Sequence, residues 1–273
     1  MYTRLSIPAA LLFLGAFFSG CASAPPFQGM SGDEIFDQGA REFDAGDWDK
    51  AIRAFERFLQ DDPTSDRLVQ GRIYLARAYF NRKDYITAAS EFSRVLDRHP
   101  GDPLAPDAAL GVCKSYVALS PDIQRDQSYT VQAFNACDNV VQDFGGVEVS
   151  GEARTLRDQM EEKLARKTLV AGEFYYRRKL YDSGIIYFND VLTDYPRSDA
   201  AAQALLRLYQ SYMAIGWERE AGDARDRLLR DFPESSAAQE IQANGESGGG
   251  GQAPGSGSNR GGTGAVDPGT VRG

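Results

Sequence analysis

The residues with chemistry of their own are few: three cysteines, Cys21, Cys113 and Cys137, and a single histidine, His99, in 273 residues. His99 stands directly before Pro100, in what reads as a turn, and no serine or cysteine nucleophile has a second base to activate it. Triad catalysis is excluded by count. The cysteines lack the close spacing of a zinc or redox pair, and no other metal-ligand spacing occurs. Carboxylates are abundant, but runs such as Asp61-Asp62 and Glu161-Glu162 read as solvated helical faces. A binding scaffold is expected, not an enzyme.

Cys21 is the residue with an assignable reaction. Residues 1–4 carry one positive charge, Arg4, and 5–18 form an apolar run. That run is too short for a bilayer core of about 30 Å at about 1.5 Å per residue, so it reads as a signal peptide. It ends in Phe18-Ser19-Gly20-Cys21, which resembles a bacterial lipobox. Small residues before a cysteine suit cleavage at Cys21 and its modification with S-diacylglycerol and an N-acyl chain. Acyl chains contribute about 0.8 kcal/mol per buried CH₂, so several anchor stably where one does not. By analogy with such lipoproteins, Ala22 after the cysteine favours the outer membrane, on its periplasmic face. Ala22-Ser23-Ala24 is the competing site, for secretion without lipid. Beyond the covalent lipid no cofactor is expected.

The elements that must carry any binding surface are helical. The composition, 42% hydrophobic and 25% charged, is that of a folded chain, and a net charge of -9 disfavours nucleic acid. From Asp33 to Pro233 one pattern recurs, counted back from the terminators Pro63, Pro100, Gly145, Pro196 and Pro233. Twelve residues before them stand Ala51, Ala88, Ala133, Gly184 and Ala221; eight before, Phe55, Phe92, Cys137, Phe188 and Arg225; five before, Phe58, Val95, Val140, Val191 and Leu228. The offsets place an apolar stripe on a helix that Pro or Gly stops. A preceding helix in each unit is marked by Gly39, Ala76 and Gly172 and by Tyr79, Tyr175 and Tyr212. This is the tetratricopeptide pattern of paired helices.

The expected fold is therefore all-α, a right-handed α-solenoid of five tetratricopeptide-like helix hairpins. The expected organisation is a signal peptide over 1–20 and a lipid-anchored linker over 21–32. Repeats 1–3 follow over 33–146, repeats 4–5 over 147–240, and a disordered Gly-rich tail over 241–273. Terminator spacings of 37, 45, 51 and 37 indicate insertion around the third unit, including 120–128 with Pro121. Cys113 and Cys137 fall on that unit's two helices. An oxidising compartment permits a disulfide between them, and buried free thiols are the alternative.

The inner face of such arrays takes extended peptides. In the first two units it is expected to offer Phe36, Ala40, Phe43, Gln70, Ile73, Arg77 and Phe80, an apolar groove with one guanidinium for a peptide carboxylate. The alternative is that these phenylalanines pack between neighbouring units. The fourth unit offers Arg166, Glu173, Tyr176 and Arg177, a more polar set suited to a protein domain.

Leu164-Ala165-Arg166-Lys167, the run from Gly172 to Arg178, and Tyr181 through Tyr195-Pro196 resemble the BamD family of outer-membrane protein assembly lipoproteins. Residues 126–130, opening the third unit's second helix, do so as well. The resemblance implies a subunit of the β-barrel assembly machinery, the BAM complex, anchored at the outer membrane. It implies that the N-terminal repeats receive unfolded outer-membrane proteins, around Phe36, Phe43, Arg77 and Phe80. It also implies that the C-terminal repeats, within about 165–232, dock on the barrel subunit BamA, with Arg207 a further candidate. Gly145-Gly146 in place of a terminal proline and the glycine-rich tail depart from the family's pattern. The competing function is another tetratricopeptide lipoprotein, an adaptor for cell-wall enzymes or the Tol-Pal system.

Overall fold

A computed structural model describes residues 27–248, with side chains through residue 243. The leader, Cys21 and residues 249–273 lie outside the described residues. The fold is all-α, and no strand occurs among the described residues. Ten of the described helices form five pairs: α1 (Gly32–Asp44) with α2 (Trp48–Asp61), α3 (Leu68–Asn81) with α4 (Tyr85–Arg98), α5 (Ala105–Leu119) with α6 (Ser128–Asp143), α7 (Val149–Arg177) with α8 (Tyr181–Asp194), and α9 (Asp199–Ile215) with α10 (Glu218–Asp231). An eleventh, α11 (Ser236–Gly248), follows.

The terminators act as the sequence requires. The second helix of every pair ends two residues before its Pro or Gly, at Asp61, Arg98, Asp143, Asp194 and Asp231. In each case the next residue's N–H donates to the carbonyl of the apolar residue five before the terminator, Phe58, Val95, Val140, Val191 or Leu228. Those five side chains are fully buried, so a single residue both closes the helix and fills the core. The long spacings have two causes. The loop 120–127 separates α5 from α6, and α7 runs for 29 residues.

Packing divides the chain into two compact units, one through Ala108 and one from Ala109, so the division falls inside α5. The repeat pattern by itself places the boundary at 146/147. In the first unit α1 packs on α2 and on α3, and α3 on α4. Its core gathers Ile35, Phe36, Phe55, Phe58 and Leu75. In the second unit α7 packs on α6, α8 and α9, and α9 also on α10 and α11. Phe188, Leu205, Leu206 and Leu228 centre that core.

Gly172 shows why the first helix of a pair needs a small residue: a Cβ there would lie 2.5 Å from Cε1 of Phe188. The aromatic ring occupies the space that glycine leaves, at the density of a protein interior. Two positions depart from the sequence reading. Arg225, in the slot that Phe or Cys fills elsewhere, is exposed, and Ala224 and Leu228 face the core of α10 instead. Residues 241–248, expected to lie in the tail, belong to α11, and Ala237, Ala238 and Ile241 join the second unit's core.

Candidate functional site

Two surfaces are built on the first helices of the pairs, one in each unit. In the first unit two residues expected in the groove are not on the surface. Phe36 is 1% exposed and Ile73 is 2% exposed. Phe36 packs edge-on against Phe55, Phe58 and Tyr74, and the Arg67 guanidinium lies 3.5 Å from its ring centroid. Burying these side chains is what joins α1 and α3 to their neighbours, so neither can meet a peptide.

What remains accessible is a stripe along α3 with one edge of α1. Gln70 and Arg77 are exposed, while Ala40, Phe43, Tyr74 and Phe80 are half-buried. Phe43 holds Trp48 and Tyr74 edge-on, each at 5.2 Å, and Phe80 holds Tyr85 at 5.1 Å. Tyr74, Arg77 and Phe80 follow at intervals of three and so share one face. Among the described residues Arg77 makes no ion pair or hydrogen bond, which leaves its guanidinium available beside aromatic rings. Tyr79, on the next edge, donates to Glu56 at 2.5 Å. Burial, and then that bond, push its hydroxyl above the ordinary tyrosine range.

The second unit's surface is organised differently. Arg207 on α9 donates through Nε and Nη2 to Glu173 Oε1 of α7, both at 3.2 Å, and through Nη1 to Gln210 Oε1 at 2.7 Å. Its guanidinium lies 5.3 Å from the Tyr176 ring centroid. Gln210 in turn donates to Glu240 of α11 at 3.2 Å, and Arg177 pairs with Glu173 at 3.8 Å. The structure thus brings together Glu173, Tyr176, Arg177 and Arg207, and adds Gln210 and Glu240. The last two carry no local sequence signal, since the bond that joins them spans two helices.

Arg166 is exposed two turns earlier on α7 and lines, with Glu162, a cavity of about 490 Å³. Glu162 accepts from the N–H of Ala200 at 3.2 Å, at the start of α9. Burial raises its carboxyl above the ordinary range, against the opposing effect of that bond.

Cys113 and Cys137 are joined, with sulfurs 2.08 Å apart, and both are fully buried. The bond ties α5 to α6 on either side of the loop 120–127. Cys21 lies outside the described residues. Among the described residues no group of three or more His, Cys, Asp and Glu side chains is placed to hold a metal ion. No described helix is long and apolar enough to cross a membrane.

Residues 28–228 match the model of a family described as YfiO, outer membrane lipoprotein. The chain is 26% identical over 235 residues to the outer membrane protein assembly factor BamD of Caulobacter vibrioides, covering 84% of this chain and 77% of that one. It is 24% identical over 229 residues to the protein of the same name from Rickettsia prowazekii, covering 83% and 91%. Among solved structures it is similar to a thermophilic tetratricopeptide-repeat protein of Thermus thermophilus, at 17% identity, 78% and 98% coverage and a TM-score of 0.34. That last likeness is too distant to carry an argument, and the fold rests on the helix pairs themselves.

Proposed function

The chain belongs to the YfiO family of outer membrane lipoproteins and is a non-catalytic outer membrane protein assembly factor of the BAM complex, and on that premise we propose that its first unit receives unfolded outer-membrane proteins. The observation that carries this reading is Arg77. An unpaired, exposed guanidinium between Tyr74 and Phe80 suits an extended peptide that presents aromatic side chains and a carboxylate. Phe43 and Phe80 supply the apolar contacts, and Phe36 and Ile73 hold the helices beneath them.

The test uses a fluorescein-labelled peptide ending in phenylalanine with a free carboxylate, titrated with the protein. A charge-assisted hydrogen bond contributes about 1.5–3 kcal/mol, so Arg77→Glu is expected to weaken binding about tenfold or more. Amidating the peptide should weaken binding similarly, with no further loss in the variant. Equal affinity of Arg77→Glu and the parent for the free-acid peptide refutes the assignment.

The second surface, around Tyr176, Arg177 and Arg207, is proposed to dock a folded periplasmic domain of the barrel subunit BamA, with Arg166 at its margin. Supporting this is its network: a rigid polar surface matches a fixed partner better than a variable peptide. Co-purification of a BamA-like barrel protein with the parent, and its loss with Arg207→Glu, is the expected result. Anchoring through acylated Cys21 on the periplasmic face completes the proposal. Mass measurement of the mature N-terminus checks it, since a chain beginning at Pro25 without lipid excludes the anchor.

A further inference from the structure

The second unit carries an apolar groove that neither surface above uses. It lies on the edge of α7 away from Glu173, between α7, Tyr187 of α8 and Ile123 of the loop 120–127, and encloses about 440 Å³. Val170 is 45% exposed and Phe174 is 44% exposed, one turn apart on its floor. Large apolar side chains paired in this way on a helix surface mark an interaction site more often than scattered ones do.

The groove's walls are held in place. Lys167 Nζ donates to the Arg125 carbonyl at 2.6 Å, and Lys163 Nζ donates to Ser120 Oγ at 2.8 Å. Gln127 Nε2 donates to the carbonyls of Asp122 and Arg125 at 2.9 and 3.0 Å. On the far side Tyr175 and Tyr187 stack at 5.4 Å. A loop tied at both ends presents Ile123 at little ordering cost, which favours binding.

Charge identifies the occupant. The chain has 39 acidic against 30 basic side chains, and arginines such as Arg157, Arg207 and Arg227 are paired with carboxylates. At the groove Lys167 makes no ion pair among the described residues and meets a carbonyl, and its charge reaches Asp126 only through space. Arg178 lies 3.5 Å from the Phe174 ring centroid and donates to that residue's carbonyl at 3.3 Å, again with no carboxylate partner among the described residues. We infer that this groove docks an acidic polypeptide segment of another protein, which inserts an aromatic side chain between Ile123, Val170 and Phe174 and places its carboxylates at Lys167 and Arg178. The chain's own residues 249–273 do not fit, having no aromatic side chain and two arginines against one aspartate. The inference does not depend on the Arg77 reading.

The test titrates the full mature chain, in detergent, into a fluorescein-labelled, C-terminally amidated peptide with one phenylalanine flanked by glutamates and aspartates, and into its counterpart flanked by lysines. The acidic peptide is expected to bind, and the basic one to bind at least about tenfold more weakly. Val170→Glu, at an exposed site that circular dichroism should show folded, is expected to weaken the acidic peptide about tenfold, and Phe174→Ser is the second variant. Arg178→Glu should reverse the preference toward the basic peptide, which a merely structural role does not predict. In the Arg77→Glu background, Val170→Glu should still weaken the acidic peptide about tenfold, which separates the groove from the α3 face. Equal binding of the two peptides, insensitivity to both groove substitutions, or self-association of the parent that Val170→Glu abolishes overturns the proposal, the last by making a second copy the occupant.

Discussion

The α3 face around Arg77 and the α7–α9 face around Arg207 are built on the same helix pairing, but they use their arginines in opposite ways. Arg77 is exposed and unpaired among half-buried aromatic rings, whereas Arg207 is held by Glu173, Gln210 and the Tyr176 ring. An unpaired cation beside rings can follow a peptide of variable sequence, because aromatic contacts demand little directional matching. A networked cation has its direction set before any partner arrives and so selects for geometry. On the proposed reading, one repeat architecture would serve both adaptable capture and fixed docking.

The contrast can be broken most strongly through the core. Phe36→Ala is expected to cost about 3–5 kcal/mol in urea unfolding, as for other buried phenylalanines. A small loss there, with peptide binding abolished, would return Phe36 to the groove. Next is the disulfide of the second unit, which closes a loop with a sequence separation of 24. Reduction should cost about 2–4 kcal/mol, and a Cys113→Ser/Cys137→Ser variant should melt at the same temperature with and without reductant.

The two arginines themselves give a smaller but more direct comparison. Arg207→Ala is expected to lower stability by about 0.5–1.5 kcal/mol through its lost hydrogen bonds. Arg77→Ala should stay within about 0.5 kcal/mol, as an exposed residue without partners does. Equal losses in chemical denaturation would erase the distinction between the faces.

The smallest effect concerns pH. Burial raises the Glu162 carboxyl above its ordinary value of 4.5, so the fold favours the protonated form. Its contribution is present in full below the unfolded value and is lost as pH rises through the folded one. Glu162→Gln should therefore gain stability relative to the parent as pH rises from 4.5 toward neutrality. A stability difference that stays constant across that window would refute the shift.

Much of the helix layout is legible in advance because its causes are local. A proline or glycine stops a helix wherever the fold places it, so Pro63, Pro100, Gly145, Pro196 and Pro233 mark five helix ends. Site residues are harder to read. Phe36 and Phe43 lie seven apart, hence on nearly one face of α1, yet one is fully buried beneath Arg67 while the other reaches the surface. The partner that covers Phe36 comes from 31 positions downstream, and no local spacing reports it. Arg225 fails for a different reason: its offset fits the core slot, but Ala224 and Leu228 on the same helix fill that slot.

Periodicity, small residues at fixed offsets and the terminators follow from hydrogen bonding and steric limits within about one helical turn, and these specify helix pairs and their apolar stripes from the amino-acid order alone. Which apolar residue stays wet, which arginine stays free and which cysteines meet depend on contacts between residues 19 to 34 positions apart, such as Arg72 with Glu91 and Arg207 with Glu173. Those choices belong to packing, where burial and pairing are settled by neighbours that the chain supplies from far along its length.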